Sequence, residues 1–249
     1  MPRRQFRKKP VRRRPRRAPK ATFAKNVLSV LNQQRELKCV FRPTAPNLTV
    51  DNTILQTDLI QLLPDIQQGT NEFQRIGNTI MLKKLVVRGY YMMNYPSSGS
   101  IDRRVCLRHM VLKQKNCNSA DQLINGGASF LNNTMLEQAT PYYGNISSFM
   151  TPINKTAFTV KKDLKKVKTL GSYAAGASTG VDMSDSYWLF EYTINFGKGK
   201  ELNYRTSGAA QPADFPYFLA HSASPLGTNS AMNPLNVLFN MTTTAYYYD

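Results

Sequence analysis

An alternation of apolar and polar residues with a period of two, sharpest near the end of the chain, limits the fold more than any other feature of this sequence. Over 236–248, NVLFNMTTTAYYY, the residues Val237, Phe239, Met241, Ala245 and Tyr247 fall on one side, and Asn240, Thr242 and Thr244 on the other. Successive side chains of an extended chain point to opposite faces, so this pattern predicts a strand with one face buried. Segment 79–95, TIMLKKLVVRGYYMMNY, is dense in β-branched and aromatic residues and lies between the turn-like RIGN and PSSGS, which marks a long strand. Segments 36–42, 53–63, 104–115, 156–170, 187–196 and 215–222 bring the expected strands to eight. Helical signals are few. Residues 22–34 suit a short amphipathic helix capped by Thr22, with Phe23, Val27, Leu28 and Leu31 on one side, and 119–125 suits a second. The connections 116–154 and 171–186 are expected as exposed loops.

Residues 36–249, with these strands and no domain-scale linker, suit one all-β antiparallel sandwich better than two domains. Eight antiparallel strands in two sheets is the jelly-roll plan, although periodicity alone does not choose between it and another sandwich.

Residues 1–35 cannot share that core. The chain opens MPRRQFRKKPVRRRPRRAPK, with eleven cations in twenty residues: Arg3, Arg4, Arg7, Lys8, Lys9, Arg12, Arg13, Arg14, Arg16, Arg17 and Lys20. Thirteen of the 33 Lys and Arg precede the first acid, Glu36, which leaves 20 cations against 15 acids in the remainder. Of the net +18, only +5 therefore belongs to the body. Over the first twenty residues, charge repulsion and the lack of large apolar groups beyond Phe6 and Val11 predict disorder, and the basic arm is taken to extend over 1–35. Pro2, Pro10, Pro15 and Pro19 exclude a regular helix there. Such a density of like charge suits a nucleic-acid contact, with nuclear localisation as a compatible second use, and a solvated tail is the bland alternative. The prolines argue against a mitochondrial transit peptide, and Lys25 and Asn26 interrupt the only apolar stretch that follows. With no run of eighteen apolar residues, no membrane insertion is expected.

Little supports enzyme chemistry. Cys39, Cys106 and Cys117 are odd in number, fit no CxxC pair and are expected as thiols in a reducing compartment. His109 and His221 are the only histidines, too few for a structural zinc site, and are expected as buried structural residues. No GxxxxGK[ST] or HExxH occurs, and no cofactor or metal is implied. Asp163, set among VKKDLKKVK, is expected in a local ion pair. The sequons at Asn47, Asn132, Asn145, Asn154 and Asn240 are most simply chance matches.

The stretch 63–91 contains Q-G-T, then Q-R-I-G-N, then a strand with K-K-L-V-V-R-G. With the Arg/Pro-rich start, the strand FTVKKDLKKVKTL and the terminal YYYD, it resembles the capsid proteins of circovirus-like small circular single-stranded DNA viruses. In the QRIGN region, Gly69, Gly77 and Asn78 are expected to supply turn conformations. Arg75 is expected to pair locally or to contact a neighbouring subunit. The resemblance implies a single eight-stranded jelly roll, a homo-oligomeric icosahedral shell of sixty copies, and an arm turned toward a packaged single-stranded DNA genome. It also implies residence in the virion, assembly in the host nucleus with nuclear import receptors as partners, and a host-cell receptor contacted by surface loops.

Sixty arms would bring roughly 660 positive charges against one negative charge per nucleotide, enough for a strand several hundred nucleotides long. Lys83, Lys84, Lys161, Lys162, Lys165, Lys166 and Lys168 are candidates for further cations on an inner surface, with a solvated strand face as the alternative. Binding through such an arm should be salt-dependent and tolerant of sequence. Two rival readings stay open on residue chemistry: a capsid enclosing RNA, and a non-viral nucleic-acid-binding protein of the ribosomal or nucleoid kind.

Overall fold

Each strand finds its partner counted from the opposite end of the chain. The computed structural model describes residues 36–44, 46–93, 104–169, 187–225 and 237–249. These form β1 (Lys38–Pro43), β2 (Leu48–Thr49), β3 (Ile60–Gln61), β4 (Thr79–Met93), β5 (Arg104–Gln114), α1 (Ala120–Ile124), α2 (Ile146–Met150), β6 (Phe158–Thr169), β7 (Tyr187–Asn203), β8 (Tyr217–Pro225) and β9 (Val237–Tyr248). One sheet has the order β1-β9-β4-β7, with β2 also on β9, and the other has the order β3-β8-β5-β6. All pairings between these strands are antiparallel. Leaving β2 aside, the first strand pairs with the last, the second with the seventh, the third with the sixth and the fourth with the fifth. That is one long antiparallel hairpin folded in half and rolled into two sheets, the jelly roll.

The alternation of β9 is realised residue by residue. Val237, Phe239, Met241, Thr243, Ala245 and Tyr247 are buried, and the residues between them are not. They pack with Leu85, Val87 and Tyr91 of β4 against Val105, Leu107 and Val111 of β5. Rings fill the centre of this layer: Tyr91, Trp188, Phe190 and Phe239 surround His109. Gly89 makes room for them, since a Cβ there would come within 2.6 Å of the Phe190 ring and 2.4 Å of the Asn240 carbonyl.

Three expectations need correction. Segment 53–63 is not a long strand. Gln56–Asp58 forms a turn of 3-10 helix, the Leu55 N–H donates to the Asp58 carboxylate at 2.7 Å, and only Ile60–Gln61 pairs with β8. Its apolar residues are buried by turns, not by a pleat: Ile54, Leu59, Leu62 and Leu63 follow no period of two. The segment 187–196 runs on to Asn203, because Gly197 and Gly199, at φ 60 and 115, kink the strand and let Leu202 and Asn203 rejoin Ile80 and Thr79. The connection 116–154 is largely a lid. Leu123, Met135, Leu136, Tyr142 and Ile153 build a second core against Met110, Leu112, Phe158, Phe218 and Ala220 on the far side of the second sheet. The helix expected over 119–125 forms as α1. The arm 1–35, the helix expected over 22–34 and the loop 171–186 lie outside the described residues.

Candidate nucleic-acid and assembly surfaces

The eleven arm cations lie outside the described residues, so the predicted cations that the fold places are those of β4 and β6. The lysines of β6 do not form one stripe. Register with β5 puts Lys162, Lys166 and Lys168 opposite Val111, Leu107 and Val105, on the face toward the first sheet. Lys165 stands opposite Arg108 on the other face, and Lys161 is the extra residue of a bulge. β6 is an edge strand, where lysines also prevent pairing with another chain. Several of these ammoniums lie over rings: Lys161 over Tyr217 at 5.3 Å, Lys162 over Tyr192 at 5.7 Å and Lys165 over Phe149 at 5.7 Å. Partial burial and the neighbouring Arg108 lower the pKa of Lys165.

Lys83 and Lys84 sit at a bulge of β4, on the first sheet. Lys84 pairs with Tyr246 and lies 4.4 Å from its ring centroid, and Lys83 lies 5.2 Å from that of Tyr248. Lys83 also donates to the carbonyl of Lys198, which the two glycines of β7 hold out into solvent. The sequence-predicted cations thus separate into a β4 pair and a divided β6 set. Lys198 was missed, although its Gly-Lys-Gly setting is the signal that presents it.

The QRIGN segment is structural. Arg75 is fully buried, has no carboxylate partner among the described residues, and has its charge met by carbonyls. Its guanidinium donates to Ile66, Gly77, Thr206, Ser207 and Ala209 at 2.6 to 3.2 Å, and stacks 4.1 Å over Tyr204. Of the two expected roles, local pairing is the one observed within the chain. Gly69, Gly77 and Asn78 lie in bends, as expected, without positive φ. Gly69 instead leaves space for the Gln74 side chain, which a Cβ would overlap.

Asp163 is ion-paired, but across strands and not with the lysines beside it. Its oxygens accept from Arg108 Nε and Nη2 at 2.9 and 2.8 Å. Arg108, fully buried, also donates to the Ser148 and Thr151 carbonyls at 2.6 and 2.9 Å, which ties α2 to the second sheet. Asn145 caps that helix by accepting from the Ser148 N–H at 2.7 Å. Asn154 accepts from the Thr156 N–H and hydroxyl, and Asn240 donates to Asn47, so four of the five sequon asparagines have structural work in the fold.

Both histidines are buried, as expected, and face each other across β5 and β8. The ring nitrogens of His109 lie 2.8 and 2.7 Å from the hydroxyls of Tyr91 and Tyr192, so a neutral imidazole donates through one and accepts through the other. Burial lowers the pKa of His109 far below its ordinary value, with His221 adding to the shift, and pushes His221 down to about 4. Burial also raises the pKa of the Cys106 thiol to about 11, away from the reactive thiolate form. Among the described residues all three cysteines are free thiols, no group of His, Cys, Asp and Glu could hold a metal, and no helix is long and apolar enough to cross a membrane.

Among the described residues, several large apolar side chains lie in solvent: Leu37, Leu55 and Val167 singly, and others on the first sheet, at the QRIGN turn and at α2. Phe41 and Leu189, 73% and 76% exposed, stand on the outer face of the first sheet, where Leu189 borders a groove of about 780 Å³ with Pro43, Tyr90 and Thr242. Phe73 and Ile76 project from the QRIGN turn, and Tyr143, Ile146 and Met150 surround α2. Contiguous exposed apolar patches mark surfaces that meet other molecules.

No family model matches the chain, and no curated protein matches it in sequence. Among solved structures, a chain of Desmodium yellow mottle tymovirus aligns over 100% of this chain and 95% of its own, at a TM-score of 0.32 and 8% identity. That likeness adds nothing to the strand order, which defines the jelly roll by itself.

Proposed function

We propose that this protein is the capsid subunit of a circovirus-like virus, assembling into a sixty-copy icosahedral shell around circular single-stranded DNA. The observation that carries this reading is the joining, in one chain, of a jelly roll to an acid-free stretch holding thirteen cations. The first offers a folded block with exposed apolar side chains for neighbours, and the second offers a sequence-tolerant hold on phosphates. The exposed apolar groups around Phe41, Phe73 and Tyr143 supply surfaces for other copies. Arg3, Arg4, Arg7 and the other arm cations bind the genome and, before assembly, serve nuclear import. The subunit is a structural protein of the virion and catalyses no reaction.

Electron microscopy of the purified full chain tests this directly. Uniform closed particles whose co-purified polymer is destroyed by DNase after disassembly, and not by RNase, are expected. A persistent monomer refutes the shell, and an RNase-sensitive polymer refutes the DNA cargo. Deleting residues 1–20 should leave a folded sandwich that loses most of its nucleic acid.

A further inference from the structure

The β4 bulge, the Gly-Lys-Gly kink of β7 and the end of β9 meet at one corner of the first sheet. Alternation along β9 sends Tyr247 inward, where its hydroxyl donates to the Phe73 carbonyl, and leaves Tyr246 and Tyr248 on the outer face, each partly buried. Lys83 and Lys84 lie over these rings, and exposed Lys198 adjoins them through its carbonyl, which accepts from Lys83. Of the acids nearby, Asp249 is paired with Lys38, and Glu201 lies across Met81 from Tyr248. The corner therefore keeps a surplus of positive charge around two accessible aromatic faces. The β6 lysines differ in this respect: the rings beneath Lys162 and Lys165 are buried, and that beneath Lys161 packs against the core.

We propose that this corner is a docking site for single-stranded nucleic acid, in which Tyr246 and Tyr248 stack successive bases while Lys83, Lys84 and Lys198 meet the flanking phosphates. The proposal rests on the reading of the protein as a genome-binding subunit and adds a site outside the arm. Rings two residues apart on a strand are about 6.7 Å apart. That is about twice the 3.4 Å rise of bases stacked within a duplex strand. Only an extended, unpaired strand can place consecutive bases on both, so the site selects single strands. Stacking on a ring is tolerant of base identity, and the ammoniums already held over the rings need only swing outward to reach phosphate.

Fluorescence anisotropy of the full chain with a labelled oligothymidylate, at salt high enough to weaken the arm, tests the site. Y246S/Y248S should weaken binding about tenfold or more with the salt slope unchanged, and Y246F/Y248F should bind as the parent does. K83Q/K84Q should lower the salt slope by about 1.4, the value for two lost phosphate contacts on a single strand. A serine variant that binds like the parent, while deletion of residues 1–20 abolishes binding, overturns the site and leaves genome binding by the arm standing. Failure of the parent chain to bind overturns both. Photocrosslinking of a 4-thiothymidine oligonucleotide to the unmodified chain does not depend on how the variants fold. Adducts on Tyr246 or Tyr248 support the site, and adducts confined to residues 1–35 refute it.

Discussion

The two sheets share a core but differ on their outer faces. The second sheet is buried on both sides, because the connection after β5 folds back over it, and β5 accordingly reads VCLRHMVL, almost without alternation. The outer face of the first sheet carries Phe41, Leu189, Arg88 and a row of threonines, and β7 and β9 alternate cleanly. A strand's sequence therefore records what covers it, including cover supplied by a distant loop.

Two arginines give the largest test of this contrast. Arg108→Ala on the covered face leaves Asp163 and two carbonyls without their donor and should cost about 3 to 5 kcal/mol in urea unfolding. Arg88→Ala on the open face breaks a solvated pair with Glu191 and should leave the midpoint unmoved. Equal losses would refute the distinction between the faces. Two leucines repeat the test without charge. Leu112→Ala, fully buried under the lid, should cost about 2 to 5 kcal/mol, and Leu189→Ala less than about 0.5 kcal/mol.

The layer common to both sheets is predicted to be acid-sensitive. The folded-state pKa of His221 lies below its ordinary 6.5, so the unfolded chain binds the proton more readily. Stability is complete above about pH 6.5 and falls as pH drops toward about 4, by about 3 kcal/mol for this group, with His109 lowering it further. Unfolding midpoints measured across that range should decline. A flat profile would mean that the histidines are not buried together between the sheets. The smallest effect on stability, and the sharpest on association, is expected at the open face. Phe41→Asp with Leu189→Asp should leave unfolding nearly unchanged yet shift particles toward free subunits in sedimentation.

The sheet strands were legible wherever one face is buried and the other wet, as in β9, or wherever β-branched and aromatic residues run densely, as in β4. The segment 53–63 misled because an apolar run bounded by turns looks the same whether a pleat or a series of turns buries it, and Asp58 decides the matter through one local hydrogen bond. The lid was misread because its Gly, Ser and Asn content outweighed scattered apolar residues, Met135, Leu136 and Ile153, whose burial depends on the sheet beneath. The lysines were found by type. Their division between two faces follows from a bulge and a register, which exist only once strands pair. Arg75 was singled out, but its ring of carbonyls comes partly from residues 206–209, more than 130 positions away.

The folded-in-half strand order also governs when the molecule can come into being. β9 follows β1 and β4 in the chain and lies between them, so on the ribosome the first sheet cannot close until synthesis has passed Tyr248. Until then β1 has no neighbour, and the outer face bearing Phe41, Leu189 and the Tyr246 corner does not exist as a surface. The β5·β6 pair, with the shortest loop to close among the partners in this order, can form early, and the first-with-last pair must wait. A truncated chain would thus lack the face offered to other molecules, and partnership would be reserved for completed copies.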